Sequence, residues 1–396
     1  MSAVRSGRSQ RAVARSFGVS LATVQFWLRR AGGERLDRVD WSDRPSARHD
    51  PGRLAAELED LILDLRRELR ETSVLGEYGA AAIQRALREH GQLPWPVPAL
   101  RTIGRVLERR GALDHGRRAR RLAPPPGWYL PDVARRQREL DSFDIVEGLY
   151  LRNQPELGIL TAISLHGGLP GAWPAFGMRV AQIVPALTEH WRAFGLPEYA
   201  QFDNDMRFVG STAHPDSIGP VIRLCLALQV VPVFAPPHEV GFQAAIEAFN
   251  GRWQAKVWAR SWHPTLDALQ ERSARWTAAL RVRSAARIEA APARRPFPSE
   301  PIEFWLSLGG RFVFVRRTSE SGTAMVLGHP FATDRHWPHR LVRAELDLAV
   351  GRVAFFALRR RDPSDQPLLA EHPYAIPERW SSRPGGADTV NPSHDR

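Results

Sequence analysis

The strongest constraint on the fold is a change of apolar periodicity along residues 141–260. DSFDIVEGLYL and GILTAISLHGG have the length and composition of strands, with RNQPEL as a loop between them and GAWPAFG as a third strand. Helical and strand patterns then alternate through AQIVPALTEHWRAFG, YAQFDND, DSIGPVIRLCLALQ, VVPVFAP and FQAAIEAFNGRWQAKVWAR. A hairpin meander followed by this alternation predicts a mixed β-sheet with helices on its faces.

Residues 9–32, SQRAVARSFGVSLATVQFWLRRAG, carry two short helical patterns around a turn, and Ser20 is placed to cap the second helix. The apolar positions at helical spacing are Val13, Phe17, Val24, Trp27 and Leu28. This pattern is typical of a helix-turn-helix, whose second helix enters the major groove of DNA. The candidate DNA-binding positions of that helix are Leu21, Ala22, Gln25, Phe26, Arg29 and Arg30. A helical hairpin with a solvated basic face is the alternative interpretation.

The rest of the chain adds further modules. Three helical patterns over residues 54–112 predict either a second helix-turn-helix or a plain three-helix spacer, and HGRRARRLAPPPG at 115–127 is typical of a linker. After residue 295, the segments RFVFVRRT, TAMVLG, HRLVRAELDL and GRVAFFALRR alternate apolar and polar residues, which predicts a small β-barrel. The tail from 373 is rich in Pro, Ser and Gly and is predicted to be disordered.

The predicted fold is therefore multidomain, with all-α helix-turn-helix modules first, a central α/β mixed sheet next and a small C-terminal β-barrel last. The predicted boundaries are a helix-turn-helix domain at 1–50, a second helical, helix-turn-helix-like domain at 51–122, the α/β core at 123–295, a DNA-binding barrel at 300–372 and the tail at 373–396.

Charge and cysteine content limit the possible functions. The formal net charge of +12 and the pI of about 11.0 favour a protein that binds polyanions, above all nucleic acid. All but one of the 55 basic residues are Arg, a skew that codon composition also produces. The single cysteine, Cys225, excludes an intrachain disulfide and a Cys-rich zinc site. No apolar run approaches the ~20 residues of a membrane span, and the basic start lacks a signal-peptide core, so we predict a cytoplasmic protein.

Acidic residues stand at three separate points of the predicted core. Asp144 lies on the first strand, Asp203 ends the fourth, and Glu247 lies on the helix after the fifth. On that helix an apolar stripe is formed by Phe242, Ile246, Phe249, Trp253 and Val257. The stripe beside it consists of Gln243, Glu247, Asn250 and Gln254, which lets Glu247 face along the sheet rather than into bulk water. Three convergent carboxylates repel one another unless a divalent cation binds them, and hard oxygen ligands suit Mg²⁺ or Mn²⁺.

This arrangement, together with the motifs QFDND and FQAAIEAFNGRWQ, resembles the DDE-type catalytic core of retroviral-type integrases and bacterial insertion-sequence transposases. The resemblance implies an RNase H-like fold in which Asp144, Asp203 and Glu247 bind two Mg²⁺ (or Mn²⁺) ions. It also implies metal-dependent DNA cleavage and strand transfer during integration or transposition. Its partners would be double-stranded DNA, as element ends and target, and further copies of the chain, at least a dimer, in a bacterial nucleoid.

Several positions depart from the family pattern. Asp205 stands where the family frequently has Gly, and Gln243 stands where it has Asn. The 43 residues between Asp203 and Glu247 are more than is usual in the family. Asp141 competes with Asp144 as the first acid, since the two lie three apart on one strand and face opposite sides. The resemblance favours Asp144, because Ile-Val-Glu follows it as in the first strand of the family. Two alternative functions remain: a DNA-binding regulator or inactive relative, and an RNase H-like nuclease that does not join DNA.

Overall fold

A computed structural model describes residues 1–42, 54–91, 93–113, 126–211, 214–237, 239, 241–302, 309–359 and 363–377. The chain divides into two compact units, Met1–Leu61 and Ile62–Arg396. The second unit therefore contains most of the predicted second helical domain, the α/β core and the C-terminal strands together. The structure does not separate these three into domains.

The first unit is built on three short helices, α1 (Ser2–Arg5), α2 (Gln10–Ser16) and α3 (Leu21–Ala31). The hydroxyls of Ser9 and Ser20 cap α2 and α3 by accepting hydrogen bonds from the backbone of Ala12 and Thr23, at 3.2 and 3.1 Å. One buried cluster of this unit contains Val13, Ala14 and Val24, with Leu28 among the residues packed against it. Phe17, one of the apolar positions at helical spacing, is 69% exposed because it ends α2 and enters the turn.

Four more helices precede the sheet: α4 (Ala56–Thr72), which crosses the boundary between the units, α5 (Ala80–Glu89), α6 (Leu100–Arg109) and α7 (Pro131–Ala134). Helix α5 packs against α6 through buried Ile83, Leu87 and Ile103. Most of the predicted linker at 115–127 lies outside the described residues, as does the tail beyond residue 377. No described helix is both long enough and apolar enough to cross a membrane.

The core sheet has five strands from the predicted α/β region: β1 (Leu140–Tyr150), β2 (Glu156–Ser164), β3 (Pro170–Phe176), β4 (Tyr199–Phe202) and β5 (Val231–Phe234). The first three form the predicted antiparallel meander, and β4 and β5 join β1 in parallel. The helices of this region are α8 (Val180–Phe194), α9 (Met206–Val209), α10 (Pro220–Ala227), α11 (Ala244–Trp253), a π-helix (Gln254–Trp258), α12 (Leu266–Arg283) and α13 (Ala285–Glu289). This large mixed sheet with helices is compatible with the RNase H-like core that the resemblance implies.

Three apolar clusters of described residues pack on the sheet, and two of them contain the helices nearest to the acids. One contains Trp191 of α8 and residues of α10 packed on Phe143 and Phe202. The other contains the apolar stripe of α11 and the π-helix, whose members Ile246, Phe249, Trp253 and Val257 are all 0% exposed as the periodicity predicts. Phe242 does not belong to this stripe, because α11 begins two residues after it. Its ring packs against Trp128 and Tyr129 instead, at centroid distances of 5.6 and 5.3 Å.

The predicted separate C-terminal β-barrel is wrong for the described residues. Four C-terminal strands, β6 (Arg311–Arg317), β9 (Leu341–Asp347), β10 (Arg352–Ala357) and β11 (Leu368–Pro373), continue the core sheet in the order β11-β10-β9-β6-β5-β4-β1-β2-β3. Only β7 (Thr323–Val326) and β8 (His329–Ala332) pair apart from it. The junction is a parallel pairing of Val233 with Val313 and of Phe234 with Phe314. Alternating polarity predicts a strand but not its partner, and here buried β5 supplies the partner.

Candidate active site

The register of the parallel strands places two of the predicted acids side by side. Asp141 of β1 pairs with Ala200 of β4, and Ser142 pairs with Gln201. The same register, continued by two residues, brings Asp144 level with Asp203. Immediately before them, the rings of Phe143 and Phe202 stack at 5.4 Å with an interplanar angle of 16°. Asp144 lies within β1 and Asp203 directly follows β4, and each comes one residue after a buried phenylalanine that packs on the α8 face of the sheet.

Asp144 occupies a half-buried position with few donors. Its Oδ1 accepts a hydrogen bond from the backbone N–H of Ile145 at 2.9 Å, and its Oδ2 accepts one from the side-chain amide of Asn250 at 2.7 Å. Burial raises the pKa of Asp144 to about 6, and the charges of Asp203 and Glu247 act in the same direction. All three predicted acids thus interact electrostatically at one place.

Asp141 is excluded from this site by its partners. Its side chain is 1% exposed, and both oxygens accept hydrogen bonds from Arg294, at 2.9 and 2.5 Å. Its Oδ2 also accepts a hydrogen bond from Trp191 Nε1 at 3.2 Å. As the strand geometry predicts, it faces α8, whereas Asp144 faces α11. Asp141 is a structural ion-pair residue.

Asp205 is a turn residue committed to its own ion pair. It caps α9, accepting a hydrogen bond from the backbone N–H of Arg207 at 2.8 Å. The Arg207 guanidinium then binds both Asp205 oxygens, at 2.8 and 2.6 Å, and also Glu147 at 2.7 Å. These contacts hold the pKa of Asp205 below its usual range. By contrast, burial raises the pKa of Asp203, whose Oδ1 accepts a hydrogen bond from the Asp205 N–H at 3.0 Å.

Glu247 lies in the first turn of α11, and its side chain is exposed. Asn250, three residues later, is 8% exposed and connects α11 to the sheet. Its Nδ2 donates to Asp144, while its Oδ1 accepts a hydrogen bond from the hydroxyl of Thr161 on β2 at 2.7 Å. The buried side-chain amide of Gln243 has no hydrogen-bond partner among the described residues. Asn250 was visible in the sequence as a neighbour of Glu247 on the same stripe, but Thr161 carried no such signal.

Asn204 and Arg316 form a hydrogen-bond network next to Asp203 and were not predicted as site residues. The amide of Asn204 donates to the Ala235 carbonyl at 2.5 Å and accepts a hydrogen bond from Arg316 at 2.9 Å. These contacts join the carboxyl ends of β4, β5 and β6. Burial lowers the pKa of Arg316 to about 10, and its guanidinium lies 4.5 Å from the Phe314 ring centroid. Asn204 belongs to the QFDND motif and could have been proposed from it. Arg316 reaches the site only because β6 pairs with β5, which the sequence did not predict.

The donor chemistry of the three acids fits a hard divalent cation, since all three offer carboxylate oxygens. Burial and the neighbouring acids disfavour the ionised form of Asp144, and a bound cation would stabilise it. As the side chains stand, no group of three described His, Cys, Asp or Glu residues is arranged to hold a metal ion. Of the three acids, Asp144 and Asp203 are half-buried and Glu247 is exposed.

The predicted DNA-binding residues lie on α3 in the first unit. Ala22, Gln25, Phe26 and Arg29 are exposed and form one stripe at helical spacing, with Leu21 half-buried at its start. Arg30 is not part of it: its side chain is 8% exposed, lies 3.8 Å from Asp40 and packs over the Trp27 ring at 5.1 Å. The geometry of a helix followed by a capped, outward-facing second helix is present, and DNA contact by this face stays a prediction.

Comparison with known proteins gives a limited result. No protein-family model matches the chain, and no curated protein matches it. Among solved structures, a simian T-cell lymphotropic virus intasome in complex with PP2A regulatory subunit B56 gamma is 14% identical, with a TM-score of 0.28, over 68% of this chain and 87% of that one. The HTLV-2 integrase catalytic core domain in complex with magnesium, in dimeric form, is 13% identical, with a TM-score of 0.25, over 40% of this chain and 88% of that one. The BIV integrase catalytic core domain is 15% identical, with a TM-score of 0.24, over 34% and 79%. At such identities and TM-scores, the chemistry of this chain has to be argued from its own residues.

Proposed function

We propose that this protein catalyses metal-dependent phosphoryl transfer on DNA, cutting a DNA end and joining it to a second duplex as DDE-type integrases and transposases do. One observation carries the proposal: half-buried Asp144 lies level with Asp203, and the pKa of Asp144 is raised by burial and by the charges of both Asp203 and Glu247. Placing three acids together is costly for folding alone, so a function is the better explanation for their convergence.

Asp144, Asp203 and Glu247 are the residues that would hold two Mg²⁺ or Mn²⁺ ions. When bound, such ions activate a water or a 3′-hydroxyl and stabilise the leaving oxygen of an in-line displacement. The chain's own contribution is positioning. Asn250 fixes the Asp144 carboxylate, and the Asp205 N–H fixes Asp203. Phe143 and Phe202, which precede the two acids, are fully buried in the apolar cluster on the α8 face of the sheet and fix the two strands against each other.

The substrate is proposed to be double-stranded DNA, recognised at element ends by the exposed stripe of α3. The net charge of +12 supports a polyanionic partner. Joining two ends in one reaction requires at least two active sites, and we therefore propose that the protein works as a dimer or larger assembly on DNA.

The proposal is tested by incubating the protein with Mg²⁺ or Mn²⁺ and a labelled duplex that carries the terminal inverted repeats flanking its coding sequence. Joined products are expected. Nicked products alone would indicate a nuclease, and binding without cleavage would indicate a regulator or an inactive relative.

Asp203→Asn is expected to abolish both cleavage and joining. Glu147→Gln is the matched control, because Glu147 is an exposed carboxylate that pairs with Arg207 close to the same site. Normal joining by the Asp203 variant would overturn the assignment of the acids.

A further inference from the structure

A cavity lined by basic side chains lies where the end of α4 meets the π-helix and α12. Its volume is about 200 Å³. Four basic side chains line it: Lys256, Arg260, Arg272 and Arg275. Glu71 is the single carboxylate among the described residues that line it. A cavity of this size and charge is suited to a small anion.

Two of the four cations are fixed in place by backbone carbonyls. Arg260 donates to the carbonyls of Ser73 and Arg70, both at 2.6 Å, at the carboxyl end of α4. Lys256, the only lysine of the chain, donates to the Gly76 carbonyl at 3.1 Å and lies 5.3 Å from the Tyr78 ring centroid. These contacts hold positive charge at the cavity without neutralising it with carboxylates.

The other two cations lack a strong counter-charge. Arg272 makes no hydrogen bond or ion pair with another described residue, and burial lowers its pKa, with Arg260 and Arg275 acting in the same direction. Arg275 approaches Glu271 only at 3.9 Å, and both of those side chains are largely exposed. Like charges gathered in this way favour the binding of an anion among them.

A buried donor at the same cavity also lacks an acceptor. Trp276 lines the cavity and is 3% exposed, and its indole N–H has no partner among the described residues. An unsatisfied buried donor costs roughly 1–3 kcal/mol. A shift of this side chain towards the cavity would let an anionic oxygen bound among the arginines accept its hydrogen bond.

We propose that this cavity binds a phosphate group of DNA that lies outside the catalytic centre. Lys256 follows Glu247 by nine residues on one continuous helical segment, so at about 100° per residue the two side chains leave it on different sides, even with the wider turn of the π-helix. The bound phosphate is therefore not the one that is cut. The DNA source of this phosphate rests on the proposed function, because strand transfer brings a second duplex to the same protein.

The test uses the full chain and two probes, without divalent ions, so that an inactive protein still gives a result. Inorganic phosphate, added at constant ionic strength in place of chloride, is expected to raise the Tm of the wild-type protein and not that of Arg272→Gln. A fluorescent duplex titrated at several salt concentrations is expected to bind Arg272→Gln several-fold more weakly, with a salt slope smaller by about 0.9, the loss of one phosphate contact. Arg272→Lys should recover most of the affinity.

Arg192→Gln is the control, since it removes one exposed positive charge from α8, outside the cavity. Equal DNA affinity and salt slope in the Arg272 and Arg192 variants would overturn the proposal. Loss of the phosphate-induced Tm shift in Arg272→Gln with an unchanged DNA slope would assign the site to free phosphate and overturn the DNA source. If the wild-type protein binds no duplex, the proposed function fails, and the phosphate titration alone decides whether the cavity is an anion site.

Discussion

The side-chain amide of Asn250 donates a 2.7 Å hydrogen bond to Oδ2 of Asp144, across 106 residues of sequence. The same amide accepts a hydrogen bond from Thr161, so that one asparagine orients the most strongly perturbed acid and ties α11 to β2. The position of the helix that carries Glu247 and the orientation of Asp144 are thereby coupled.

Asn250→Ala is expected to lower the free energy of unfolding by about 1–3 kcal/mol, since it removes the donor to Asp144 and leaves the Thr161 hydroxyl with only the Asp144 carbonyl, at 3.1 Å, as its acceptor. It should also raise the pKa of Asp144 further, because that hydrogen bond favours the ionised form. Urea denaturation and the Mg²⁺ concentration needed for cleavage measure the two effects. Thr161→Ser, which keeps the hydroxyl, should change both much less; identical behaviour of the two variants would contradict the coupling.

Stability without metal is expected to depend on pH through Asp144. Its pKa of about 6 in the folded state lies above the unfolded value of 3.8, so the folded protein retains the proton between about pH 4 and 6. The contribution of this group to stability is therefore fully present below this window and is lost as the pH rises through it, by at most about 3 kcal/mol. Urea midpoints measured with a chelator from pH 4 to 8 should show this fall.

Asp144→Asn should remove that fall and make the metal-free protein more stable than wild type at pH 8, while abolishing stabilisation by added Mg²⁺. A pH dependence that is the same in both proteins would show that Asp144 ionises normally.

Asp141→Asn is expected to behave in the opposite way to Asp144→Asn. It leaves Arg294, whose side chain is 14% exposed, without its anionic partner, and breaking such a buried pair costs about 3–5 kcal/mol. Thermal unfolding should show a large loss of stability, with residual joining activity in the fraction that stays folded. Complete loss of joining in a fully folded Asp141 variant would reverse the roles of the two acids.

The exposed stripe of α3 is expected to contribute both to sequence reading and to general affinity for DNA. Gln25→Ala should reduce discrimination between the terminal repeat and unrelated duplex, by about 1–3 kcal/mol if Gln25 contacts a base directly. Arg29→Ala should weaken both complexes alike if Arg29 contacts phosphate. Fluorescence anisotropy with the two duplexes separates these outcomes. Arg35→Ala, which removes an exposed arginine outside α3, is the control.

Local periodicity was enough to predict the order of strands and helices in the core and the buried stripe of α11, because each depends on neighbours within a few turns of chain. The choice between Asp141 and Asp144 depended on more distant contacts. Arg294 lies 153 residues beyond Asp141, and no local pattern indicates that it returns to β1. Arg30 was placed on the DNA-binding face for a similar reason, since its approach to Asp40 is invisible to helical spacing alone.

The parallel pairing of β6 with β5 has a practical consequence for the chain. Cutting before Arg311 would uncover a row of unpaired backbone donors and acceptors along β5, whose four residues, Val231–Phe234, are all buried in the intact protein. Such an open strand recruits other chains and promotes aggregation. We therefore expect the C-terminal strands to protect the core sheet from aggregation, so that a shortened protein that keeps all three acids would lose solubility.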